Sequence, residues 1–190
     1  MHSTFRKPDQ SGFTLVELLI VVIILAILAA IVIPQFSGAS TDAKESALDA
    51  DLSALRSAIE LYKVQHGGNY PGSGATTAAS IACSGTAGTT ASGTPQAWMD
   101  DLLMASDAAG NTCSVSDATT YRYGPYLRKG IPPDPITGNG AAVADIAVTT
   151  TGAPLTPAAA TGGWAVDTVS GQIVMNSNDH DSHDKEYSSH

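Results

Sequence analysis

The sequence predicts an α+β chain: a long N-terminal helix, apolar in its first half and amphipathic in its second, packed on a small antiparallel β-sheet, with a long loop between helix and sheet. Three observations carry this. Phe13 to Ile33 is an almost unbroken apolar run. Leu48, Leu52, Leu55, Ile59 and Tyr62 recur at alternating steps of four and three, the spacing of one helix face. Trp164, Val166 and Ile173, Met175 alternate on either side of Ser170-Gly171, the pattern of a hairpin. The chain has 190 residues, 43% of them hydrophobic, and about 125 residues after His66 suffice for one small domain.

The first element spans 21 residues, Phe13 to Ile33, and as a helix covers about 31 Å, enough to cross a bilayer. Arg6 and Lys7 precede it, and Asp42 and Glu45 follow it with one lysine. That bias keeps the N-terminus cytoplasmic and places the rest outside. A secretory signal would be shorter, uncharged and closed by a small-x-small site; here the run ends Ile31-Val32-Ile33-Pro34 and carries Glu17. An acid inside a spanning segment calls for a partner or a function.

The run S-G-F-T-L-V-E, Ser11 to Glu17, with its basic leader and the apolar helix up to Pro34, closely resembles the class III signal of type IV pilins and of their secretion-system relatives, the pseudopilins. The resemblance implies a type IV pilin fold. It implies a membrane peptidase that cuts after Gly12 and methylates the new amine of Phe13, and a Glu17 that pairs with the N-terminal amine of a neighbouring subunit. Such pairing has its own rationale, since two opposite charges in apolar surroundings cost less together than apart.

Beyond Pro34 the helix turns amphipathic and is predicted to end near His66, where Gly67-Gly68 supplies a left-handed cap and Pro71 prevents continuation. Pro34 and Gly38 interrupt it, so a kink or locally melted segment is expected near residues 26 to 36. Pro34 either bends the helix where it leaves the lipid or, as the resemblance implies, unwinds on filament packing. A helix apolar all round is stable in lipid, and once extracted it must bury that surface on copies of itself. Ala26, Ala29 and Ala30 permit close approach, and a head-to-tail contact that does not close generates a filament.

Residues 69–96 are dominated by Gly, Ser, Thr and Ala and read as a surface loop, plain or O-glycosylated. Thr94-Pro95 gives an N-cap and a first-turn proline for a short helix near Gln96 to Ser106, with Trp98, Met99, Leu102 and Leu103 as its apolar face. Cys83 and Cys113 flank it; in an exported loop-rich domain an even pair is most simply a disulfide, two free thiols being the alternative.

Strand-like pieces follow at Thr120 to Tyr123, Asp145 to Thr150, Gly163 to Val169 and Gln172 to Asn176. The connection G-P-Y-L…D-P is similar to elements of major pseudopilins of type II secretion, although Ile136-Thr137-Gly138 stands where tryptophan-glycine often follows. In the tail, Asp179, Asp181 and Asp184 offer oxygen ligands of the kind calcium takes, and His180 and His183 favour a transition metal; the competing reading is a solvated acidic tail.

Net charge is −9, which disfavours broad binding to nucleic acid. No phosphate loop, nucleophile elbow or zinc motif appears, so no enzyme activity is expected. The parts are then a cleaved leader (1–12), a transmembrane and polymerisation helix (13–35), its amphipathic half (36–66), an extracytoplasmic head (67–176) and a polar tail (177–190). The reading is a structural pilin: a single-pass inner-membrane protein that becomes an extracellular or periplasmic filament. Its partners would be itself and other pilins, membrane lipid, the prepilin peptidase/methyltransferase, and an inner-membrane assembly platform with its ATPase. The alternatives are a major pseudopilin of type II secretion and a non-polymerising membrane-anchored binding or sensing module.

Overall fold

The structure, a computed structural model, describes residues 12–74, 76, 83–88 and 90–190, with the side chains of 33–37 outside the description. The leader before Gly12 and residues 75, 77–82 and 89 of the expected surface loop thus lie outside the described residues. The chain divides into two compact units, the first ending at Thr41 and the second running from Asp42 to His190.

Helix α1 covers Leu15–Gln65. Its assignment continues through residues 26–36, so the melted segment expected at Pro34 is not present. A single proline removes only its own donor from the ladder and leaves the bonds on either side intact. The helix stops where the glycines predict. Gly67 is left-handed at φ +65° and the Gly68 N–H donates to the Lys63 carbonyl at 2.9 Å, closing a Schellman cap.

In the second unit the stripe Leu48, Leu52, Leu55, Ile59 and Tyr62 is buried throughout. Leu48, Leu52, Leu55 and Ile59 pack with Trp98, Met99 and Leu102 of α2 (Pro95–Leu103) and with Trp164, Val166, Ile173 and Met175 of the sheet, while Tyr62 stacks on His66 and meets Tyr126 edge-on. Thr94 caps α2 by accepting from Ala97 N–H at 3.2 Å. The Leu102 carbonyl at its other end accepts from both Tyr126 and Leu127 N–H, which explains the G-P-Y-L element as a clasp on α2.

Two short strands, β1 (Ala105–Ser106) and β2 (Thr112–Cys113), pair antiparallel. The main sheet holds β3 (Ile146–Thr149), β4 (Trp164–Asp167) and β5 (Ile173–Met175) in that order. The hairpin β4–β5 is antiparallel, as the alternation predicts, with Val166 opposite Ile173. β3, however, pairs parallel to β4, Ile146 beside Trp164. The connection 150–163 is long enough for the return crossing that parallel pairing requires, about a dozen residues. Asp167 holds both ends of this arrangement. One oxygen accepts from the N–H of Val169 and Ser170 at the hairpin turn, the other from Thr151 and Gly152 N–H at the start of the crossing. Burial alone would raise its pKa, yet these bonds hold it well below the usual carboxylate range. Gly171 closes the turn at φ +72°, with the Tyr70 ring where a Cβ would stand.

The strand expected at Thr120 to Tyr123 does not form. Asp117 folds the chain by accepting from Thr119 and Thr120 N–H, and only Tyr123 pairs, exchanging bonds with Ser106. The expected surface loop is also partly interior. Thr76 is fully buried, and adjacent acids of α2 tie the loop down: Asp100 accepts from the Thr76 and Thr90 hydroxyls, Asp101 from Gly72 N–H at 2.7 Å. Small Thr and Gly residues carry the polar groups that such a tie needs, so composition alone misplaced them.

The polar tail keeps most of its residues exposed but is anchored at several points. Tyr187 is buried in the core cluster and opens a 3₁₀ turn, Tyr187–Ser189. Arg56 of α1 donates to the Ile173 and His190 backbone oxygens at 3.2 and 2.9 Å.

Leu52→Ala is expected to cost about 2–5 kcal/mol, against at most about 0.5 kcal/mol for the half-exposed Leu61 on the outer face; denaturant unfolding of the chain in detergent measures both. Burial pushes Asp101 up to about 7, against the Gly72 bond that favours the charged form. A raised folded-state pKa means that stability is fullest below the unfolded value and declines as pH rises from about 4 to about 7. Asp101→Asn should flatten that decline in pH-dependent unfolding.

Candidate assembly and processing site

Apolar side chains without a core to enter define this site. From Leu15 to Val32 mean hydropathy is 3.3 and none of the window is buried. It is the one helix segment among the described residues long and apolar enough to cross a membrane. Phe13 and Leu15 are exposed, and a Cβ built on Gly12 would meet nothing among the described residues.

At the start of this segment Thr14 and Glu17 bond reciprocally. The Glu17 carboxylate accepts from Thr14 N–H and Thr14 Oγ1, each at 2.8 Å, while Glu17 N–H donates to Thr14 Oγ1 at 3.2 Å. This is a capping box, in which the acid satisfies a donor the helix leaves orphaned and lies favourably at the positive end of the helix dipole. The resemblance implies only an intermolecular role for Glu17; the Thr-x-x-Glu spacing, legible in T-L-V-E, is the signal for the intramolecular one. The carboxylate therefore stands directly beside the N-terminal turn, its second oxygen uncommitted to Thr14. A cationic amine brought there would find an acid already oriented. Pro34 lies within α1, with its side chain outside the described set.

In the head, Cys83 and Cys113 are joined in a disulfide with Cα atoms 5.7 Å apart. The bond closes a loop of 30 residues around α2, and Cys113 is wholly buried with Ala105 and Tyr121. At the end of α1, His66 stacks on Tyr62 with centroids 3.8 Å apart and its Nε2 lies 3.0 Å from Ser106 Oγ. A base beside a hydroxyl is the pairing used for nucleophilic chemistry, but both residues are sealed from solvent, at 2% and 0% exposure. Burial holds the imidazole below its ordinary pKa, and the pair locks α1 to β1.

Of the three tail carboxylates singled out in the sequence, Asp179 and Asp184 are exposed, whereas Asp181 turns inward to meet Glu45 of α1 and His183. Glu45 was missed. It continues the stripe of Leu48 and Leu52 by one step of three, and an acid on an apolar face was the available signal.

Residues 7–33 match the prokaryotic N-terminal methylation motif. The chain is 41% identical over 61 residues to the type II secretion system core protein G of Pseudomonas aeruginosa, covering 32% of this chain and 43% of that protein. Against the protein of the same name from Klebsiella michiganensis the identity is 38% over 66 residues, 35% and 46% of the two chains. Against that of Vibrio cholerae it is 40% over 61 residues, 32% and 42%. The chain thus spans less than half the length of these curated relatives. No solved structure matches it.

Replacing both cysteines by serine is expected to lower the head's stability by about 3–4 kcal/mol, the restriction that a loop of this length places on the unfolded chain. Guanidinium unfolding with and without reductant measures it, and the Cys83→Ser, Cys113→Ser double variant should ignore the reductant.

Proposed function

We propose that the chain is a member of the type IV pilin and pseudopilin family and a structural filament subunit, a pseudopilin of a type II secretion system, on the strength of its methylation motif and its partial identity to core protein G. The observation that carries this reading is the identity to core protein G of several type II systems over about a third of the chain, beside the methylation motif at residues 7–33. The sequence alone puts a surface type IV pilus first and the pseudopilus second; the named relatives favour the reverse order. The surface pilus stands as the second reading, because the N-terminal run resembles both filament kinds alike and less than half of core protein G is matched.

The chemistry runs from the N-terminus. A prepilin peptidase cuts after Gly12 and methylates Phe13. The apolar segment holds the mature chain in the inner membrane with the head outside. Extraction by an ATP-driven platform exchanges lipid for neighbouring copies at about 25 cal/mol for each Å² kept from water. Glu17, already turned toward its own N-terminal turn, takes the methylated amine of the adjacent subunit as its counter-ion. Pro34 withholds one backbone donor and is where α1 gives way on packing. The role is mechanical and does not involve catalysis.

Mass spectrometry of chain recovered from cells is expected to show N-methylated Phe13 as the first residue; an intact Met1 overturns the assignment. Glu17→Ala should leave membrane insertion unchanged and abolish filament formation. Loss of exported enzymes on deletion, without surface filaments in electron micrographs, supports the pseudopilus. Surface filaments with export intact favour the pilus.

A further inference from the structure

The folded-back tail brings three ligating side chains to one point on α1. Glu45, Asp181 and His183 present carboxylate oxygens and an imidazole nitrogen that all lie within 4.8 Å of one another. The two acids are sealed, with side-chain exposures of 9% for Glu45 and 4% for Asp181. Among the described residues no lysine or arginine forms an ion pair with either. Only imidazoles face them: His183 Nδ1 lies 4.0 Å from Glu45 Oε2, and His190 Nε2 lies 3.2 Å from Asp181 Oδ2. Two carboxylates brought to one point repel each other, and a divalent cation between them would relieve that repulsion.

Both acids are also held in position. Ser182 donates through its N–H and its hydroxyl to the two oxygens of Glu45, at 2.8 Å each. The N–H groups of His183 and Lys185 donate to Asp181 Oδ1, again at 2.8 Å. His190, itself 2.9 Å from Asp49, steadies the other Asp181 oxygen. These bonds aim the carboxylates, the arrangement of outer groups that orients metal ligands.

We propose that Glu45, Asp181 and His183 form a binding site for a divalent first-row transition cation, with zinc the closest fit, and that the ion fastens the tail to α1. The donor set decides the class. One nitrogen and two oxygens suit zinc in tetrahedral coordination, whereas calcium and magnesium take oxygen ligands. Donors around tetrahedral zinc stand about 3.3 Å apart, so a sub-ångström swing of the imidazole closes the Glu45–His183 gap. His183 Nδ1 also lies 3.0 Å from Ser182 Oγ, a contact that coordination would replace; the ring is 80% exposed, which gives it room for that swing and opens the fourth position to water.

The test uses the full chain in detergent, stripped with chelator and titrated with zinc, cobalt, calcium or magnesium. Calorimetry should give one tight zinc site, with a raised unfolding temperature that chelator reverses. Cobalt should give the intense visible bands of a tetrahedral nitrogen–oxygen site. His183→Ala, at an exposed position that leaves folding intact, and Glu45→Gln should each weaken zinc binding by about 10- to 100-fold. His180→Ala and Asp184→Asn should not. Zinc affinity unchanged in His183→Ala, an equal rise with calcium, or no zinc binding at millimolar concentration overturns the site. None of these readouts depends on filament formation.

Discussion

Burial of the α1 stripe Leu48, Leu52, Leu55, Ile59 and Tyr62 is the contact on which the rest of the head depends. Those five side chains are at or below 3% exposure, and each buried aliphatic or aromatic group of this size contributes about 1.5–3 kcal/mol relative to water. α2 and the three-stranded sheet are too short to bury their own apolar faces, so they exist by covering this stripe. The tail follows the same rule, since Tyr187 joins the cluster and Arg56 secures the backbone beside it.

Upstream in the same helix the problem is inverted. Leu15 to Val32 is apolar almost throughout, and among the described residues nothing buries it. Such a surface is stable only in lipid or against other apolar helices. A folded head combined with an uncovered segment is what a membrane-held subunit needs if it is later to assemble. Glu17 fits both stages: in the single chain its charge serves the helix cap, and a neighbouring amine can approach the same carboxylate.

Buried carboxylates do much of the fastening in the head. Asp134 ties the Asp-Pro turn to the start of β4 through Gly163 N–H, Asp167 ties the hairpin to the crossing, and Asp100 and Asp101 tie the threonine-rich loop to α2. Asp134, Asp167 and Asp100 each accept from several donors, which is how an acid is tolerated away from water without a cation, whereas Asp101 has the Gly72 N–H on one oxygen and burial raises its pKa. Glu45 and Asp181 differ in that they face one another, and the zinc site proposed above follows from that difference.

Wherever period or punctuation is strong, the chain could be read directly. The apolar span, the stripe on α1, its glycine stop, the Thr94–Pro95 start of α2, the β4–β5 hairpin and the cysteine pair were all legible, because each depends on neighbours a few residues apart or on a single pair. What the sequence did not carry was pairing across distance. The parallel alignment of β3 is decided by a crossing and by Asp167, not by any local pattern. The threonine-rich loop is half interior because two acids of α2 reach it, and the tail is docked because Arg56 and Glu45 meet it from a helix more than a hundred residues earlier. Polar contacts of that kind depend on direction and distance in the folded chain, whereas hydrophobic periodicity depends only on order along it. Order was therefore enough to determine the membrane segment, the processing motif and the core helix, and only the tertiary structure decided which acids stand alone and which stand together.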